Sequence, residues 1–405
     1  MKKIIALVLS GIMCVGLLAG CGSSSSSTTA ATTAASGGDA TEAATEAATE
    51  AASEANENTG ETYNFTVVNH DSATSMGEHW LETILGKVEE ESNGQITFTY
   101  NPGGSLFGAT ETIDAVKNGS ADICWATTGT YGGIFPLSEF INLPGNGIDS
   151  AQLASAVINT MVKEDADVAA EYDGWHVLAL HGTSLSPICT VSKKIESPSD
   201  LSGLRLRVAG TVPTIYVNAI GATATALPTS EVYDNLSKNA LDGMCNDWHN
   251  IDCFNLYEPI DYCLDVGVNM TTSMVLMNED AYNNLPSDLQ AIFDKYFTSG
   301  YAADMAGYWW DSCRYWVADE MEENGVEIYE PTEELEEFLW SDEVLDETHQ
   351  GYIDYLDGKG YDGQKYYDEF MAIVEKLAPD YADVWDSEFN YEDWDVDAEG
   401  YTTKW

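Results

Sequence analysis

Basic side chains are scarce in this sequence. Its 405 residues carry 16 Lys and Arg against 68 Asp and Glu, a formal net charge of -52. Arginine occurs three times, at Arg205, Arg207 and Arg314. So few cations exclude nucleic-acid binding, which needs clustered Lys and Arg against phosphate. They also argue against docking on an anionic lipid surface. Beyond Cys21 there is no apolar run long enough to span a bilayer. Gly-x-Ser-x-Gly, P-loop and dinucleotide glycine patterns are missing. Pairs of carboxylates suited to glycoside hydrolysis are everywhere in so acidic a chain, so their presence carries no information. What is present is apolar and aromatic: 44% hydrophobic residues, with 22 Tyr, 11 Trp and 11 Phe. That supply builds a sizeable core and rules out global disorder. The length suits one large domain or two medium ones.

The first residues read as an address. Lys2 and Lys3 precede an uncharged apolar stretch from Ile4 to Gly20, of signal-peptide length. Leu18-Ala19-Gly20-Cys21, followed by Gly22 and serines, resembles a bacterial lipobox, in which the cysteine carries the lipid. The expectation is a leader over 1–20, a lipid anchor at Cys21, and a protein held on the outer face of the cytoplasmic membrane. Residues 21–61 are Ser, Thr, Ala, Gly and Glu, with a recurring Thr-Glu-Ala-Ala unit. Such a segment cannot bury enough apolar area to offset its ordering entropy and reads as a disordered tether. Six cysteines remain beyond it, at wide and irregular spacings that favour burial as much as disulfides.

From Tyr63 onward short strands alternate with helices. Phe65–Val68 is β-rich, and Trp80, Ile84, Leu85 and Val88 have helical spacing until Ser92-Asn93-Gly94 stops them. Ile96–Tyr100, a helix from Thr110 and a buried strand Ala121–Ala126 follow. This order predicts an α/β fold with parallel sheet and crossover helices. After Leu285-Pro286 a helical pattern continues almost to Gly325, long enough to lie along two lobes as a spine. The expected division is a first lobe of 62–181 plus 272–312, a second of 182–271 plus 313–378, and a loosely packed acidic tail over 379–405. Two such lobes make a cleft at the carboxyl ends of strands.

Ile195-Glu196-Ser197-Pro198-Ser199-Asp200-Leu201-Ser202-Gly203-Leu204-Arg205-Leu206-Arg207-Val208 resembles the central signature of the solute-binding proteins of tripartite ATP-independent (TRAP) transporters. Pro228-Thr229-Ser230-Glu231-Val232-Tyr233, Leu241-Asp242-Gly243 and Leu285-Pro286-Ser287-Asp288-Leu289-Gln290 are similar to later blocks of that family. Gly94-Gln95-Ile96 through Gly104, and Lys117-Asn118-Gly119-Ser120-Ala121-Asp122, match its first lobe. The blocks occur in order and in register from Tyr63 to Gly325. The resemblance implies a two-lobed, periplasmic-binding-protein-like receptor of the C4-dicarboxylate-binding type, a bacterial lipoprotein without catalysis or cofactor. It closes on a small carboxylate and delivers it to a membrane permease; the reading favours a monomer. The alternatives are an ABC-type receptor and a secreted hydrolase using carboxylates.

A guanidinium presents a rigid fork that grips a carboxylate bidentately. On the residues alone, Arg205 and Arg207 are equally readable as a solvated strand face paired with acids. The resemblance assigns Arg207 to the ligand and leaves Arg205 at the surface. It also implies roles for Asn246, Trp248 and Thr127, and for His70 at the end of the first strand. Two departures stand out. Ser184 follows Gly182-Thr183 where sialic-acid binders carry a second arginine, and Thr229 replaces an aromatic; both still count among the expected ligand-binding residues. A pocket on the sialic-acid pattern is therefore not expected, while dicarboxylates, keto acids, aromatic acids and amino acids stay open. Cys245, His249 and Cys253 repeat at i, i+4 and i+8, a possible zinc face. Three ligands on one helix without a fourth nearby make a weak site, and no metal is expected.

Overall fold

The computed structural model describes residues 60–405. The expected leader, Cys21 and residues 21–59 of the expected tether lie outside them. Among the described residues no helix is long and apolar enough to cross a membrane.

Local chemistry sets the first helix. The Ser75 hydroxyl accepts the Glu78 N–H at 3.1 Å and caps Met76–Glu91. Trp80, Leu81, Ile84, Leu85 and Val88 fall on its buried face. The helix stops where Asn93 and Gly94 take φ of 52° and 72°.

Two mixed sheets follow. The first has the order β2-β1-β3-β10-β4, with β1 Tyr63–Val68, β2 Ile96–Asn101, β3 Ile123–Thr127, β4 Trp175–Gly182 and β10 Thr272–Asn278. The second runs β11-β9-β5-β8-β6-β7, with β5 Ile188–Thr190, β6 Arg205–Val208, β7 Thr223–Ala226, β8 Gly243–Cys245, β9 Tyr262–Leu264 and β11 Glu327–Tyr329. The expected parallel pairing holds for β1 with β2 and β3, and for β6 with β7 and β8. β10 instead pairs antiparallel with β3 and β4, and β5 antiparallel with β8 and β9. The reason is the chain path. β10 enters its sheet from the second lobe, so Ser273 near its start pairs with Thr127 at the end of β3. Residues 183–187 and 265–271 are two paired crossings, tied by Thr183 N–H to Thr271 O and Ser186 N–H to Asn269 O, both at 2.9 Å.

Three expectations are corrected. The long helical run breaks into Ser287–Tyr296 and Tyr301–Glu323, because Gly300 adopts a left-handed φ of 84°. The second piece is still the spine, burying Trp310 and Cys313 near the first sheet and Val317 and Met321 near Cys263 and Val326. Residues 313–378 do not all join the second lobe. Helix Gly363–Leu377 packs Phe370, Ile373 and Val374 with Phe140 and Val157 of the first, and Phe370 stacks on Phe140 with centroids 5.3 Å apart. Helix Asp342–Lys359 bridges the two, with Val344 in the second-lobe core and Tyr352 and Leu356 in the first. The acidic tail is packed rather than loose. Tyr401 donates its hydroxyl hydrogen to Asp304 at 2.5 Å, Trp405 Nε1 donates to the same carboxylate at 2.8 Å, and Trp394 stands edge-on to Tyr301.

Buried carboxylates stitch these layers and set a pH dependence. Asp311 on the spine accepts Ala151 N–H at 2.6 Å and Gln152 N–H at 3.1 Å, reaching across to the first turn of helix Ala151–Glu164. Burial pushes it up to about 7 despite those donors. Glu171, which accepts Ser138 N–H at 3.0 Å, is raised to about 7 for the same reason. Both folded values lie above the unfolded ones near 4, so the fold binds the extra protons. The stabilisation is complete below the unfolded values and is lost as pH rises through about 7. The melting temperature is expected to fall between pH 5 and pH 8, and less steeply in Asp311→Asn. An unchanged slope in that variant, read by differential scanning calorimetry, would rule out Asp311 as a source.

Candidate functional site

Arg207 is the third residue of β6 and lies at the carboxyl end of the parallel part of the second sheet. Its side chain points into the seam between the lobes and is 3% exposed. Nε donates to Leu227 O at 3.0 Å, one terminal nitrogen to Thr229 Oγ1 at 3.0 Å, and the other to Asn246 Oδ1. A guanidinium has five N–H donors, so two remain beyond these three bonds. No carboxylate pairs with it among the described residues. The other two arginines are paired: Arg205 grips Asp242 through Nε at 2.9 Å and a terminal nitrogen at 2.8 Å, and Arg314 holds Asp265 at 2.5 Å. Desolvation lowers Arg207 to about 10, with the charge of Asp247 opposing the shift. It therefore stays cationic at neutral pH.

The surrounding polar atoms share this incompleteness. Asn246, 3% exposed, spends its oxygen on Arg207, while its buried Nδ2 has no partner. Asn250 Oδ1 is likewise unpartnered. Asp247 caps helix Trp248–Cys253 through Asn250 N–H at 3.2 Å, and burial raises its carboxyl. Buried polar groups normally find partners, so a donor and an acceptor left open beside a lone cation mark a place built for a polar anion.

Two cavities meet at Arg207. The inner one, about 20 Å³, is lined by Thr127, Thr229, Asn246, Asp247, Asn269 and Thr271, among others. It has room for about one water. The outer one, about 440 Å³, lies between Thr110 and Thr130 of the first lobe and Thr211, Ile215 and Leu227 of the second. Between them the lobes touch: a Cβ on Gly129 would sit 3.2 Å from both Cβ and O of Ala209. Nearby, Glu139 of the first lobe accepts Thr211 N–H at 2.7 Å and Val212 N–H at 3.3 Å, capping helix Thr211–Ala219 of the second. These contacts hold the lobes closed over the cavity.

Of the residues singled out in the sequence, Arg207, Asn246, Thr127 and Thr229 converge on the inner cavity. Ser184 and Trp248 do not; they line a separate cavity of about 250 Å³ with Arg314 and Trp385, and Ser184 Oγ accepts the Trp248 N–H at 3.2 Å. Capping by Asp247 starts the helix at Trp248 and turns its ring into the core. His70 lies away from Arg207, between Trp125 and Phe254 and beside Asp71. Cys245 ends β8 rather than standing on a helix, so it parts from His249 and Cys253 and lines the Arg207 cavity instead. Thr183, Ser186, Asn269 and Thr271 were missed. Their signal was polar residues interrupting the apolar runs that became the two crossings. All six cysteines in the described residues are free and buried.

The family model for bacterial extracellular solute-binding protein, family 7, matches residues 67–347, more than half of the chain. The sialic acid-binding periplasmic protein SiaP of Vibrio cholerae is 26% identical over 227 residues, which cover 55% of this chain and 70% of that protein. Matches to some other relatives cover less, such as 59% of a monocarboxylate 2-oxoacid-binding periplasmic protein of Nostoc that is 25% identical over 52% of this chain. A TRAP solute-binding protein specific for aromatic acid ligands, from an unidentified marine microbe and solved with 3-hydroxybenzoate, superposes with a TM-score of 0.73 at 24% identity, covering 78% of this chain and 99% of that one. One from Rhodoferax ferrireducens with copurified benzoate gives 0.71 at 24% identity, covering 79% and 100%. These likenesses carry the two-lobed fold. With the family match across both lobes and a lone buried cation between them, the chain belongs to family 7 of the bacterial extracellular solute-binding proteins, the extracytoplasmic receptors through which TRAP transporters take up small organic acids.

Proposed function

We propose that this receptor captures an aliphatic monocarboxylate bearing a hydrogen-bond donor, such as a hydroxy or amino acid, and hands it unchanged to a membrane permease. The single observation carrying this is Arg207: buried, cationic, unpaired by any carboxylate and with two free N–H groups. A ligand carboxylate completes its fork and accepts from Asn246 Nδ2. A donor on the ligand meets Asn250 Oδ1 or Asp247. A second carboxylate has no second cation, since Arg207 is the one basic residue lining either cavity. Neither cavity is lined by an aromatic ring, so an aromatic acid finds no stacking partner there. Asp247 is the one acid lining either cavity. Hydrolysis by a carboxylate pair therefore lacks its second member, which favours capture without turnover.

The inner cavity is too small for such a ligand as it stands, so Gly129 must part from Ala209 to admit it and the lobes then reclose. The lipid on Cys21 and the tether to residue 61 would keep this monomeric cleft near its permease at the outer face of the cytoplasmic membrane. A thermal-shift panel tests the ligand class. Hydroxy and amino monocarboxylates are expected to raise the melting temperature, equivalent to about 2.7 kcal/mol at a hundredfold excess over Kd. Stabilisation by benzoates or dicarboxylates in place of these acids would refute it.

A further inference from the structure

The end of β1 and helix Trp248–Cys253 bring a second constellation together. Asp71 follows His70 just past β1, while His249 and Cys253, four residues apart, share one helix face. One ligand atom from each of Asp71, His249 and Cys253 lies within 4.8 Å of the others, and all three residues are buried. His249 Nε2 is 3.4 Å from Asp71 Oδ2, and His70 Nε2 is 3.7 Å from Asp71 Oδ1. Tetrahedral ligands at about 2.0–2.3 Å from a metal stand roughly 3.3–3.8 Å apart, so the His249–Asp71 separation suits one coordination sphere, while His70 approaches the other carboxylate oxygen.

The cluster is unsatisfied as a set of protein groups alone. Asp71 is 0% exposed, yet neither carboxylate oxygen receives a hydrogen bond. The Nδ1 atoms of His70 and His249 have no partner either. A buried carboxylate without donors is costly unless a cation meets it. Gly77 supplies an independent observation. A Cβ there would fall 2.7 Å from Asp71 Oδ2 and 2.8 Å from His249 Nε2. A side chain at residue 77 would therefore press on both ligand atoms, and glycine leaves them room. Gly77 N–H donates to His249 Nε2 at 3.1 Å, so this nitrogen is unprotonated, the tautomer a metal takes, and a metal would take its lone pair in place of the Gly77 contact. Cys253 Sγ accepts Ser72 N–H at 3.4 Å, a contact that also supports a thiolate.

We propose that Asp71, His249 and Cys253 bind a divalent transition metal of the Zn²⁺ class, with His70 beside Asp71 as an outer partner and the fourth position open. An O, N, S set suits Zn²⁺ and Co²⁺ and is too soft for Mg²⁺ or Ca²⁺. A cleft of about 480 Å³ is lined by Met76 and Asp252, the chain neighbours of Gly77 and Cys253, and carries the acids Asp252 and Glu392. The metal would pin the first strand of one lobe to the helix that begins two residues beyond Asn246. It departs from the expectation of no metal because the third ligand, Asp71, comes from a distant part of the chain in place of Cys245. The proposal stands apart from the carboxylate reading and is tested without any organic acid.

The test is Co²⁺ titration of the purified full chain after chelator treatment. Expected is one equivalent that gives the intense visible absorption of tetrahedral Co²⁺ and a near-ultraviolet thiolate-to-cobalt band. Zn²⁺ should erase both at one equivalent. Cys253→Ser should lose the thiolate band while Cys245→Ser keeps it, and His70→Gln should weaken Co²⁺ binding by on the order of tenfold. Wild-type protein without the thiolate band at one equivalent overturns the proposal, whatever the variants do. So does a band that survives Cys253→Ser, or uptake that shows only weak, multiple oxygen sites of the acidic surface.

Discussion

Arg207→Ala is expected to lose roughly 30- to 5000-fold in affinity for the acid that stabilises the wild type, by calorimetric titration. Removing one partner of a buried, hydrogen-bonded charge pair costs about 2–5 kcal/mol, and Arg207 is the sole cation lining the two cavities. Arg207→Lys should fall between the two, because an ammonium supplies charge but not the planar fork that also reaches Leu227 O and Thr229. The melting temperature without ligand separates this role from a structural one. Arg207 is desolvated and unpaired by any acid, so an apolar side chain of similar length, Arg207→Met, removes a charge the fold gains little from burying. That variant should melt within about 1 kcal/mol of the wild type, or above it, while failing to bind. A variant that binds acid at wild-type strength would refute the assignment of Arg207; one that simply unfolds would make Arg207 a structural residue.

Gly243→Ala should destabilise the protein by about 3 kcal/mol or more, lowering the melting temperature by several degrees. Gly243 opens β8, an interior strand between β5 and β6, in register with Thr190 on one side and Leu206 on the other. A Cβ there would collide with the Cys189 carbonyl oxygen and stand 3.0 Å from Leu206 Cδ2 and 3.1 Å from Thr190 Cγ2. The obstacle is backbone in a paired strand, which cannot swing aside like a side chain. Moving β5 away would open the sheet and displace Asn246, three residues on. Gly86→Ala is the control. It lies within helix Met76–Glu91 with nothing within 4 Å of its Cβ position, and should stabilise by about 0.5–1 kcal/mol. Equal melting temperatures for Gly243→Ala and the wild type would show that the sheet yields more easily than its geometry implies.

The contrast between Arg207 and Trp248 shows how far the chain could be read in one dimension. Strand alternation puts Arg205 and Arg207 on one face and could not separate them; only the surrounding family blocks pointed to Arg207, and Asn246 was picked out in the same way. Trp248 comes only two residues later. Its direction depends on Asp247 capping a helix there, and that turns the ring into the core and away from the cavity. The break at Gly300 was hidden for a related reason. Apolar spacing continues through it, and the C-terminal tail folds back so that Thr403 and Trp405 crowd the position a Cβ would take.

Sequence alone determined the chemistry available: an acidic, aromatic-rich chain with three arginines, period-two and helical apolar patterns sufficient for two α/β lobes, and a family signature around Arg207. Tertiary structure decided which groups meet. The order of β10, the first-lobe packing of helix Gly363–Leu377, the hydroxyls and amides of the crossings, and the approach of Asp71 to His249 and Cys253 all follow from the chain's repeated passages between lobes. Local propensity acts over a few residues, whereas these contacts join segments far apart in the chain. Their partners are selected by burial and by the need to satisfy buried polar groups, and both are properties of the assembled fold.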